Sequence, residues 1–106
     1  RLELPEAKQK NKSIKGEIIY IDRFGNATAN ISAELISKTF ASSDTIEIKI
    51  GKNKIDGLVT GYYQINSGQI GAILNSWNQV EVFCRENSAE KKLKLKTGQT
   101  VNLKVK

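Results

Sequence analysis

The chain has 106 residues with one Cys, one Pro and no His or Met, a length that fits one domain with a modest core. With no His and a single Cys, it excludes Ser-His-Asp, Cys-His and HExxH chemistry, a disulfide framework and a Cys-cluster zinc site within itself. Its 17 Lys or Arg against 11 Asp or Glu leave a net charge of +6, placed at the ends: residues 1–15 carry five basic and two acidic side chains, residues 16–84 five and seven, residues 85–106 seven and two.

Residues 1–15 hold the only Pro, much Lys and little periodicity, and are expected to be an inter-domain linker. Pro5 disfavours helix at Leu4, so Glu3-Leu4-Pro5 reads as extended. The domain proper is expected from Gly16 to residue 106. Ile18-Ile19-Tyr20-Ile21 is a β-branched and aromatic run, expected to be a strand buried on both faces. Asp22-Arg23-Phe24-Gly25-Asn26 interrupts it with turn residues. Ala27 to Ile31 resumes an extended segment. Ser32 then N-caps a short helix that starts at Ala33 and ends before Phe40.

Thr45 to Ile50 alternates strictly, with Ile46, Ile48 and Ile50 on one face. Gly51-Lys52-Asn53 connects it to a returning strand over 54–60. Gly61 to Gly68 is a loop that holds Tyr62 and Tyr63. Gln69 to Leu74 is a short apolar strand, and Asn75-Ser76-Trp77-Asn78 a turn. Gln79 to Arg85 alternates again, with Val80, Val82 and Cys84 on one side. Asn87-Ser88 caps one helical turn from Ala89 to Leu93, and Thr97-Gly98 is a turn. Thr100 to Lys106 places Val101, Leu103 and Val105 inward. Six or seven short, mostly antiparallel strands with turn signals between them predict an all-β small barrel with one or two short helices.

No run of about 18 apolar residues is present, so no transmembrane helix is expected. The charged start is unlike a signal peptide. A reduced cytoplasmic setting is the expectation. The absence of Met, with Arg1 at the start, is expected of a processed product or an excised piece.

The glycines are scattered one per turn, which is punctuation and not a phosphate cradle. Carboxylate pairs such as Asp44 with Glu47, or Asp22 with Glu34, are distant unless the fold joins them. Cys84, on an apolar strand face, reads as a small buried hydrophobe. Tyr62, Tyr63 and Trp77 fall in loops, where core packing explains them less well than ligand stacking. Asp22 to Asn30 is the other anomaly. It sets Asn26 and Asn30 just beyond an apolar strand, with Gly25 permitting a sharp turn. From the residues alone, a turn stabilised by its own Asn side chains and a ligand site remain open. Loop aromatics with Lys-rich ends also leave open a stand-alone basic β-barrel that binds single-stranded nucleic acid. Against it, those loops lie in the acidic middle of the chain.

Gly16-Glu17-Ile18-Ile19-Tyr20-Ile21-Asp22-Arg23-Phe24-Gly25-Asn26, followed by Asn30-Ile31, resembles the start of the C-terminal domain of the S-adenosyl-L-methionine hydroxide adenosyltransferase family. That family is related to S-adenosyl-L-methionine chlorinases and fluorinases. Asn75-Ser76, Val80-Glu81-Val82, Asn87-Ser88-Ala89 and Leu95-Lys96-Thr97-Gly98-Gln99-Thr100-Val101 follow the same order. Leu2-Glu3-Leu4-Pro5-Glu6 is similar to the family's connection between domains.

The resemblance implies an adenosyl-binding β-barrel from a trimeric, two-domain hydrolase that converts S-adenosyl-L-methionine and water to adenosine and L-methionine. The catalytic Asp, Arg and His belong to an N-terminal α/β domain, so this domain alone is expected not to be catalytic. The barrel would complete a pocket against the N-terminal domain of a neighbouring subunit. S-adenosyl-L-methionine is the substrate; no cofactor and no metal is implied, nor a membrane or nucleic-acid partner.

Carried over by position, Asn26 hydrogen-bonds the ligand and Tyr62 stacks on adenine. Asn75 and Ser76 read the adenine edge, and the backbone from Cys84 to Glu86 lines it. Trp77-Asn78 stands where relatives continue with a small residue and Gly, so Trp77 is expected either to add a stacking face or to cover the barrel end. Ala27-Thr28-Ala29 is smaller than the family's segment. The choice between hydroxide and halide lies with the N-terminal domain.

Overall fold

The computed structural model describes residues 6–106. The expectations for Glu3-Leu4-Pro5, and most of Leu2 to Glu6, lie outside the described residues. The chain turns back on itself early. Asn11 adopts φ 54°, a left-handed conformation that Asn tolerates. Lys10 and Ser13 thereby face each other, and the Ser13 hydroxyl donates to the Lys10 carbonyl at 2.9 Å. Strand β1 (Lys8–Lys10) thus pairs with β2 (Ser13–Ile21), so part of the stretch read as linker is sheet. A three-residue strand with no apolar alternation carries no periodic signal, which hid it.

The order continues with β3 (Ala27–Ser32), α1 (Ala33–Thr39), β4 (Ile46–Ile50), β5 (Asn53–Asp56), β6 (Ile70–Leu74), β7 (Gln79–Cys84), α2 (Ala89–Leu93) and β8 (Thr100–Val105). Both helices start as their capping residues predict. The Ser32 hydroxyl accepts from the Leu35 N–H, and Ser88 from the Lys91 N–H, each at 3.1 Å. The strands form one antiparallel order, β5-β4-β8-β2-β3-β7-β6, with β1 beside β2. The ends approach at Val59, whose N–H donates to the Ala72 carbonyl at 2.8 Å, leaving a nearly closed barrel. The all-β expectation holds, with eight strands among the described residues in place of six or seven.

Ile14, Ile18, Ile31, Ile48, Ile50, Val80, Val82, Val101 and Leu103 fill the interior. Three details differ from the sequence reading. The Ile18–Ile21 run is not buried on both faces: Ile18 is fully buried, Ile19 and Ile21 are half-buried and Tyr20 is exposed, with a register shift in the β2–β3 pairing between Ile18 and Tyr20. The hairpin turn between β4 and β5 is Gly51-Lys52, with Ile50 opposite Asn53, and β5 stops at Asp56. Val105 is exposed at the strand end, while Val101 and Leu103 point inward. Among the described residues, no helix is long and apolar enough to cross a membrane.

Candidate functional site

A second apolar layer lies outside the barrel core and positions the site. On β7, Val80, Val82 and Cys84 face the core, so Glu81 and Phe83 point the other way, yet both are buried. The cover is the segment after Val59, which makes a short 3-10 turn over Tyr62–Gln64. The Gln64 side chain caps its start, accepting from the Thr60 N–H at 2.7 Å and the Gly61 N–H at 3.3 Å. Tyr62 meets Phe83 edge to face, with ring centroids 4.6 Å apart at 78°.

Two charged residues of β7 and its end clamp this aromatic loop. The Tyr62 hydroxyl donates to Glu81 Oε2 at 2.9 Å. The Arg85 guanidinium donates to the Ile65 carbonyl at 2.6 Å and the Tyr63 carbonyl at 3.4 Å. Partial burial, then the hydrogen bond to Glu81, then the charges of Glu81 and Asp22 push the Tyr62 phenol up to about 12. Tyr62 is therefore neutral and a hydrogen-bond donor at pH 7.

A raised phenol pKa contributes stability that is complete below its ordinary value of 10.0 and is lost as the pH rises through about 12. Ultraviolet titration of tyrosinate is thus expected to show one late-titrating tyrosine that disappears in Tyr62→Phe and moves down in Glu81→Gln. An unmoved late step in Glu81→Gln would refute the Glu81 assignment.

The loop from Asp22 to Asn26 forms the opposite wall. Asp22 Oδ1 accepts the backbone N–H groups of Phe24 at 2.9 Å and Asn26 at 3.0 Å, and Asp22 Oδ2 accepts Asn26 Nδ2 at 3.3 Å. Gly25, at φ +83°, sits against Ser88, and its carbonyl accepts the Glu90 N–H at 2.9 Å. The loop is thus locked onto the start of α2. Between β7 and α2, Glu86 takes a left-handed conformation, φ 61°, in a turn where the Asn87 N–H donates to the Cys84 carbonyl at 3.2 Å.

Phe24, Asn26, Tyr62, Tyr63, Cys84, Arg85, Glu86 and Asn87 thereby line one cleft of about 890 Å³ floored by Phe83. Of the residues singled out from sequence, Asn26, Tyr62, Cys84 and Glu86 meet here. Cys84 packs into the core, and its Sγ lies 3.3 Å from the Gly68 carbonyl, which it donates to. Tyr63, the second loop aromatic, and Arg85, within the stretch from Cys84 to Glu86, line it too, and the structure adds Phe24 and Asn87. Phe24 stands inside the resembling motif, exposed, with the Arg23 guanidinium 5.1 Å from its ring centre.

Asn75, Ser76 and Trp77 lie on the β6–β7 turn and not among the residues lining this cleft. Asn75 Oδ1 accepts the Trp77 N–H at 3.0 Å and the Gln79 N–H at 3.1 Å. Its Nδ2 donates to Thr28 Oγ1 at 3.3 Å and to Glu81 Oε1 at 3.5 Å. Asn75 is therefore occupied in holding the turn, and it touches the site through Glu81. Trp77 is exposed beside it. Glu81, a lone carboxylate among Val80, Val82, Phe83 and Cys84, was missed; a single charge in an apolar strand is the signal that marks it.

A nearly closed antiparallel barrel thus carries an aromatic-walled cleft, rimmed by amides and a guanidinium, a form that small-molecule sites share in general. Residues 16–102 match the family model of the SAM hydroxide adenosyltransferase C-terminal domain, and the chain belongs to that family. Among solved structures, an uncharacterized conserved protein from Thermotoga maritima matches with a TM-score of 0.80 and 20% identity, over 96% of this chain and 40% of that one. A conserved hypothetical protein from Thermus thermophilus matches with a TM-score of 0.71 and 25% identity, over 96% of this chain and 39% of that one. The chain spans about 40% of the length of these proteins. No curated protein matches it.

Proposed function

We propose that the cleft holds the adenosyl group of S-adenosyl-L-methionine, and that the domain serves a hydrolase that releases adenosine and L-methionine. One observation carries the reading: Phe24 to Asn26, Tyr62-Tyr63 and Arg85 to Asn87, distant in sequence, converge on one cleft in a member of this family. A volume of about 890 Å³ suits a nucleoside-sized ligand, since small-molecule pockets run to roughly 300–1,000 Å³.

The rings of Phe24, Tyr62 and Tyr63 offer faces and edges to a planar base. Asn26 and Asn87 offer amide donors and acceptors to its ribose or ring edge. In the reaction, a water oxygen bonds to C5′ as the C5′–S bond breaks. The bonding electrons pass to sulfur, which becomes the neutral thioether of methionine, and the water proton must pass to a base. This chain has no His to take that proton. The base is assigned to an N-terminal α/β domain, and closure of the cleft to the N-terminal domain of a neighbour in a homotrimer. The setting proposed is the cytoplasm.

Isothermal titration of the full-length protein with adenosine tests the site. Saturable binding is expected, weakened about tenfold by Asn26→Ala, the loss of one ligand hydrogen bond. Absence of binding, or equal binding by Asn26→Ala, overturns the assignment.

A further inference from the structure

The outer face of the sheet carries a line of lysines that the cleft does not use. Cross-strand register partners share a face. Lys8 is opposite Lys15, Lys15 opposite Asn102, Asn102 opposite Lys49, and Lys49 opposite Lys54. The row therefore crosses five strands, β1-β2-β8-β4-β5, with four cations and one amide. At about 4.8 Å between strands it is about 19 Å long. The four lysines are exposed, and among the described residues none of them is in an ion pair.

Two features distinguish this row from an ordinary solvated surface. Lys8 with Lys15, and Lys49 with Lys54, are like charges directly opposed, an arrangement that destabilises a sheet. The next row shows the usual remedy: Lys104 lies 3.8 Å from Glu47, and Lys106 lies 3.1 Å from Asp56. The row also stands between rows that carry no excess of cations. Glu17 and Thr100 lie on one side, and Lys10, Ser13, Lys104, Glu47 and Asp56, two cations against two carboxylates, on the other. The uncancelled positive charge is thus confined to one line, which matches a single linear polyanion better than a planar anionic surface.

We infer that this row is a track for the phosphate backbone of single-stranded nucleic acid. It is independent of the adenosyl cleft and uses none of its aromatic residues. The acidic balance of residues 16–84 does not oppose it, because Lys49 and Lys54 come from that segment.

The test is fluorescence anisotropy of a labelled 20-nucleotide oligouridylate with the full-length protein. Four phosphate contacts give a salt slope of about −2.8, so binding is expected to weaken roughly 50-fold between 50 and 200 mM salt. Lys15→Glu with Lys49→Glu is expected to weaken binding at 50 mM salt at least about tenfold. Lys91→Glu with Lys96→Glu, of equal net charge but off the row, is expected to change it less than about threefold. Lys15→Gln with Lys49→Gln relieves the opposed charges, so it is expected to melt no lower than the parent and still to bind at least about threefold more weakly. No binding at 50 mM salt, equal losses in both Glu variants, or capture by phosphatidylserine vesicles without oligonucleotide binding would each overturn the inference.

Discussion

Gly25→Ala is expected to lower the unfolding free energy by about 2–5 kcal/mol and to abolish binding in the cleft. Gly25 adopts φ +83°, where an L side chain is strained, and a Cβ there would collide with Ser88 Oγ and lie 2.8 Å from Ser88 Cβ. Ser88 cannot yield cheaply, because its hydroxyl caps α2 at Lys91. Nor can the backbone, since the Gly25 carbonyl satisfies the Glu90 N–H. Displacing either moves Phe24 and Asn26 away from residues 84–87, and the cleft is made of both. Gly98→Ala isolates the backbone contribution: its φ is +89°, but the nearest atom to its Cβ is Glu17 Oε2, at 3.8 Å. Urea unfolding of the two variants is expected to show a cost of only about 1–2 kcal/mol for Gly98→Ala. Equal costs would mean that the contact with Ser88 contributes nothing.

Leu103→Ala is expected to cost about 2–5 kcal/mol, the range for truncating a fully buried Leu. Leu103 is fully buried and lies opposite both Ile14 and Ile48, at the centre of the sheet. The cavity would be walled by strand backbones that cannot collapse without breaking ladder hydrogen bonds. For a domain near this size, that corresponds to a fall in Tm on the order of 10–30 °C. Lys104→Ala, one residue on and exposed, removes only a partly solvated pair with Glu47 and is expected to cost at most about 1 kcal/mol. Calorimetry of both variants checks the inward–outward alternation directly.

The parts of the fold legible in the sequence are those set by local chemistry. Ser32 and Ser88 marked both helix starts because a hydroxyl satisfies the orphan N–H groups of the first turn. The alternation of Ile46-Glu47-Ile48-Lys49-Ile50 marked β4 because a pleated strand sends neighbours to opposite faces. β1 escaped, since its pairing depends on Asn11 reversing the chain. Tyr20 escaped because exposure depends on what covers a strand. At the site, Asn26 and Tyr62 were legible as amide and loop aromatic. Glu81 and Arg85 were not, because each acts on residues about 20 positions away.

The charge count met first shows the same division. Composition alone determined that no His-based catalysis resides in these residues and that cations exceed anions. Strand patterning determined an all-β barrel, and one motif located one wall of the cleft. The tertiary structure decided the rest, because antiparallel register places residues far apart in sequence side by side. It turned Asn75 into the tie that holds a hairpin turn, and Glu81 and Arg85 into the clamps on an aromatic loop. By the same register, Lys8 and Lys15 near one end share a row with Lys49 and Lys54 from the acidic middle, which no count along the chain contains.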